Sequence, residues 1–186
     1  MNIALRNIIR RATLATVALL LSFGIAGAQM DLRISKSKIK SSLKRLDKLE
    51  LLAAQLNTAS GSTQDSADQL CQIAKQCKEL SESISHYINQ VSVLSTLQAS
   101  SEKVLQRTLL LTKLNTLSKE LASHKESISS IGSSIMSLSA SSSASNGTSS
   151  KALKSIGAKI LKIAEKEYLY QAMAVGNMIS ALGAMK

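Results

Sequence analysis

The sequence predicts an all-α fold, an antiparallel helical bundle or coiled-coil hairpin of about four helices. Aliphatic residues recur in steps of three and four over long stretches, no proline occurs anywhere in the 186 residues, and aromatic residues make up only 2% of the chain. A core of Leu, Ile, Val, Ala and Met suits helix on helix, whereas strands favour aromatic and β-branched residues at alternate positions. Without proline no helix carries an internal breaker.

The first element is a leader. Arg6, Arg10 and Arg11 precede the apolar run from Ala12 to Ile25, and Ala26-Gly27-Ala28 stands before Gln29. A charged head, a short apolar middle and a small-x-small box are the layout of a secretory signal peptide, residues 1–28. Two other readings of the leader stay open: an uncleaved anchor, and a folded-export signal built on Arg10-Arg11, against which Thr13 stands where a large apolar residue is expected. Export places residues 29–186 as a single helical-bundle domain in a secreted or periplasmic, oxidising space. Removing the leader takes three arginines and the only Phe with it, leaving 20 basic against 12 acidic groups, a balance of +8.

A helix is expected from about Asp31 to Leu56, with Ile39, Leu43, Leu46, Ala53 and Leu56 on one side. The polar, glycine-containing linker Asn57–Ser62 ends it. In the next segment Leu70, Ile73, Cys77, Leu80, Ile84, Tyr87, Val91 and Leu94 follow a heptad seam. After it Leu110, Leu114, Leu117, Leu121, Ile128, Ile131, Ile135 and Leu138 do the same, with His124 at the intervening core position. These two seams predict a hairpin if the joint at Gln98–Glu102 turns, and one very long helix if it does not. Ser139–Ser150 reads as a flexible Ser-rich loop with a turn at Asn146-Gly147-Thr148. A final helix runs from Lys151 toward Met185, with Leu153, Ile156, Ile160, Ile163 and Ala164 opposite its lysines.

No glycine-rich phosphate loop, triad or facing carboxylate pair is present, so no enzyme activity, cofactor or small-molecule substrate is expected. Cys71 and Cys77 are the only cysteines. Six residues along one helix lie ~9 Å apart in rise and point ~120° apart, beyond the reach of a disulfide. An intramolecular bridge therefore requires the helix to begin after Cys71; an intermolecular bridge and free thiols are the alternatives. Their spacing to His86 is not that of zinc ligands. His124 is either a buried neutral imidazole or a ring turned to water.

Arg33, Lys36, Lys40, Lys44 and Lys48 form a basic stripe, read either as a solvated face or as an anion-binding surface. The stretch Leu169–Met185 has no charge, and Ala172, Gly176, Ser180 and Ala184 recur every four residues, a track that lets another helix approach closely. Three fates are open for it: bundle core, docking face, or association with a membrane. The expected function is that of an exported, non-enzymatic structural subunit or adaptor of an envelope or surface assembly. Its partner would be another protein or further copies of this chain. The alternatives are a periplasmic holdase and a peripheral binder of anionic membrane or polymer. Nucleic acid is disfavoured by export and by the shortage of stacking aromatics.

Overall fold

The structure, a computed structural model, describes the backbone of residues 3–59, 63–141 and 147–185, and side chains from Met30 to Thr58, Thr63 to Ser141 and Ser150 to Met185. The chain is all-α. Helices α1 (Ile3–Ala59), α2 (Gln64–Thr96), α3 (Ser101–Ser141) and α4 (Gly147–Ala184) run up, down, up and down. Each packs on its chain neighbours, α4 closes on α1, and the α2–α3 contact is the sparsest side of the ring.

Cross-helix contacts fix the register. Lys36 Nζ donates to Asn89 Oδ1 at 2.9 Å, and Lys78 Nζ meets Asp47 at 2.7 Å and Glu50 at 2.9 Å, so α2 descends as α1 rises. The two carboxylates push the Lys78 pKa up, chiefly through their hydrogen bonds. Asn177 Nδ2 donates to Ser35 Oγ at 3.0 Å and sets α4 antiparallel to α1. Between α3 and α4 the glycines interlock: a Cβ added at Gly157 would stand 2.6 Å from Met136 Cγ and 2.9 Å from the Gly132 carbonyl oxygen. At that crossing the two backbones themselves are in contact.

The joints explain the reversals. Leu97 takes an extended conformation, φ −76° and ψ 147°, which ends α2. Ser100 Oγ then accepts the Lys103 backbone N–H at 3.1 Å, capping α3, while Lys103 Nζ donates to the Leu97 carbonyl at 2.7 Å. The chain therefore folds as a hairpin here and not as one long helix, without glycine or proline. Thr63, buried at the start of α2, donates to the Leu56 carbonyl at 2.7 Å and satisfies one of the free acceptors at the end of α1. Residues 60–62 of the expected linker lie outside the described residues, and Asn57–Ala59 are still helical.

Two expected boundaries are corrected. The first helix does not begin near Asp31 but runs continuously from Ile3. The Ser-rich loop is shorter than read: α3 continues to Ser141 and α4 starts at Gly147, with 142–146 outside the described residues. Serine content suggested a loop, yet Ser139 and Ser141 turn their hydroxyls onto the Met136 and Leu138 carbonyls at 2.6 and 3.0 Å. Hydroxyls satisfied within the helix leave it intact. Ser150 Oγ donates to the Ser139 carbonyl at 2.5 Å and ties the two helix ends together.

Buried aliphatics form two clusters along the bundle. One gathers Leu32, Ile39, Ile84, Ile88, Leu114, Met178 and Leu182 toward the α2–α3 joint. The other gathers Leu46, Leu49, Leu70, Ile135, Leu153 and Ile160 toward the opposite end. Each buried Leu or Ile contributes on the order of 1.5–3 kcal/mol. The α3 seam is buried where expected from Leu110 to Leu121 and from Ile128 to Ile135, with His124 between them and Leu138 half-buried. On α2 the stripe is rotated: Ala74, Ser81 and Ile88 are buried, whereas Ile73 and Tyr87 are half-buried. Small Ala74 and Ser81 let α2 sit close to its better-packed neighbours, which turns Ile73 and Tyr87 toward the open α2–α3 side. On α1, Leu43 is half-buried and Leu49 and Leu52 take its place in the core.

Candidate functional site

Between the two apolar clusters lies a polar layer. On α4 the buried stripe Ile160, Ala164, Glu167, Gln171, Ala174, Met178 is interrupted by two polar residues one turn apart. Glu167, only 4% exposed, accepts hydrogen bonds from the Ser42 hydroxyl and from Arg45 Nε, both on α1. The Arg45 guanidinium lies 4.8 Å from the Tyr170 ring centroid, a cation–π contact that covers its other face. Gln171 Nε2 donates to Ser81 Oγ on α2 at 2.6 Å, and Ser81 donates to the Cys77 carbonyl at 3.0 Å. Three helices are thereby joined at one level. A buried charged pair of this kind fixes helix register, because any slip strands a carboxylate in hydrocarbon.

Cys77 and Cys71 both lie within α2, which starts at Gln64, so the helix entry that an intramolecular bridge requires is absent. Both thiols are free; Cys77 is buried and Cys71 half-buried. Burial, with the Glu167 charge adding to it, pushes the Cys77 thiol up to about 12. It is therefore an inert core side chain at neutral pH.

His124 stands at the same level on α3, half-buried, and its Nδ1 has no hydrogen-bond partner among the described residues. Burial lowers its pKa, with Glu120 opposing. The neutral ring is thus favoured by the fold. Its contribution to stability is present above the unfolded value of about 6.5 and is lost as pH falls through the lower folded-state value. Melting temperature should fall between pH 7 and pH 5, and His124→Leu should flatten that slope; an unchanged slope would remove His124 as its cause.

The five residues of the basic stripe, Arg33, Lys36, Lys40, Lys44 and Lys48, are all exposed on α1. Lys36 reaches Asn89, and none of the five has an ion-pair partner among the described residues. The structure separates two meanings of the uncharged tail. Ala174, Val175, Met178, Ala181 and Leu182 face the core. The small-residue track faces outward: Ala172 is half-buried, and Gly176, Ser180 and Ala184 are exposed. Leu169 and Met173 lie beside it, 54% and 42% exposed, and a Cβ added at Gly176 meets nothing within 4 Å. Tyr168 and Tyr170 mark the join with the charged half, the first under Lys125 at 4.8 Å.

Among residues whose side chains are described, no helix is long and apolar enough to cross a membrane, and no three His, Cys, Asp or Glu converge as a metal-binding group. Along the α2–α3 side runs a series of clefts, the one nearest the joint about 460 Å³ and walled by Val93, Leu94, Leu109 and Lys113. Sequence reasoning missed the polar layer, although Glu167 and Gln171 at successive seam positions of the last helix were a signal that could have found it. No protein-family model, curated protein or solved structure matches this chain.

Proposed function

We propose that this chain is exported and acts as a non-enzymatic helical subunit or adaptor of an envelope or surface assembly, docking through the outer face of α4. The carrying observation is that face itself: from Leu169 to Ala184 it is uncharged and, but for half-buried Ala172, exposed, with Gly176 open to close approach by another helix. An exposed apolar track on a helix otherwise fully engaged with its bundle is a surface for a partner. Export rests on the layout of the leader, a cationic head, an apolar middle and Ala26-Gly27-Ala28 before Gln29.

Gly176→Arg tests the docking reading. The site has room for the side chain in the monomer and arginine favours helix over glycine, so helicity should hold and the melting temperature should not fall. The mass of the native complex or oligomer, by light scattering, should collapse toward that of the single chain; an undiminished mass would overturn the reading. The open α2–α3 clefts, with Val93 and Leu109 exposed at their mouth, favour a second reading as a holdase. Suppression of client aggregation without nucleotide, untouched by Gly176→Arg, would select it.

A further inference from the structure

Exposed hydrophobic side chains are concentrated at one end of the bundle. Of ten large hydrophobics exposed among the described residues, seven lie where the α2–α3 joint meets the start of the described part of α1. Leu97, Val104, Leu105 and Leu109 are on the hairpin, 46%, 59%, 61% and 53% exposed, and Met30 and Ile34 are on α1 beside it. The Lys36–Asn89 bond places these α1 residues level with the last turns of α2. The reason for the exposure is geometric. The interlock of Gly132 with Leu161 and of Gly157 with Met136 brings the end of α4, Ala184, level with Leu109. Among the described residues no part of α4 therefore lies against the first two turns of α3.

The charge at this end is one-sided. Arg33, Lys36, Lys103, Arg107 and Lys113 surround the tip, against Asp31 and Glu102. None of the five cations has a salt bridge among the described residues, and Arg107 Nε is a buried nitrogen with no hydrogen-bond partner there. Apolar side chains ringed by cations match the two layers of a lipid interface, acyl chains below anionic headgroups.

We infer that the hairpin tip docks on an anionic bilayer surface, Leu97, Val104, Leu105 and Leu109 entering the interface while Lys103, Arg107 and Arg33 meet the phosphates. The bundle then stands upright on the membrane, and the outer face of α4 stays free at its side. This docking uses different residues from the α4 face and stands or falls separately from it.

The test is co-sedimentation of the protein, as recovered from the cell envelope, with vesicles of phosphatidylglycerol and phosphatidylcholine or of phosphatidylcholine alone. Binding to the anionic vesicles should be at least tenfold tighter and should weaken in high salt, where screening shortens to about 3 Å at 1 M. Leu105→Glu with Leu109→Glu should abolish it with an unchanged circular dichroism spectrum; should that pair unfold, Val104→Ser with Leu105→Ser should still lower binding several-fold. Leu51→Glu, exposed elsewhere on α1, should have no effect. Absence of binding to either vesicle would overturn the proposal. So would binding that survives the tip variants but is lost in Lys40→Ala/Lys44→Ala/Lys48→Ala. A self-associated mass that the tip variants reduce to a single chain, without vesicle binding, would assign the tip to a second copy and overturn it likewise.

Discussion

Arg45→Met should destabilise the bundle by ~3 kcal/mol, because it leaves Glu167 buried with the Ser42 hydroxyl as its only strong partner. In a chain of this size that corresponds to a fall in melting temperature of roughly 6–12 °C. Glu167→Met alone should cost less, since Arg45 is 22% exposed and can swing its guanidinium to water. The informative result is the double substitution. Replacing a buried pair with apolar residues of similar volume is often neutral, so Arg45→Met/Glu167→Met should recover most of the loss. Ser42 can then turn to the carbonyl four residues back, as Ser35 and Ser41 already do. Additive losses in thermal unfolding of the double variant would show that the layer does not act as a unit.

Gly157→Leu should be as damaging, about 3 kcal/mol, through a different cause. The side chain would have to displace the Gly132 carbonyl, 2.9 Å from the new Cβ, and backbone cannot rotate away as a flexible side chain can. Gly157→Ala gains about 1 kcal/mol of helix propensity yet should still be net destabilising, since the clash arises at Cβ itself. Gly176→Ala, with nothing within 4 Å of the added atom, should instead gain ~0.5–1 kcal/mol. The same substitution thus changes sign between two glycines of one helix. Denaturant midpoints of the two alanine variants decide it; a gain at Gly157 would mean that the α3–α4 crossing is wider than described.

The helical class, the hairpin and most of the α3 seam were legible because burial in a bundle repeats with the helix, and Leu110 to Ile135 keep that repeat with His124 as its one polar position. The rotation of α2 was not legible. Leu70, Cys77, Ile84 and Val91 fit either of two neighbouring stripes, and the choice depends on which side the unequal partners α1, α3 and α4 occupy. Helix ends were misread for a related reason. Serine disfavours helix interiors as a free choice, but Ser139 and Ser141 satisfy their hydroxyls within α3. Of the candidate surfaces, the basic stripe and the small-residue track could be named from spacing alone; that the track faces outward required the register of α4 against α1 and α3. The cationic tip depends on where α4 ends relative to α3, which follows from a glycine interlock between residues 132 and 157 and from no local pattern.

Intact-mass measurement on the protein recovered from fractionated cells tests the functional reading most directly. A chain beginning at Gln29, 158 residues long and found in the extracytoplasmic fraction, is the expected result. A full-length chain in the soluble cytoplasmic fraction would contradict it.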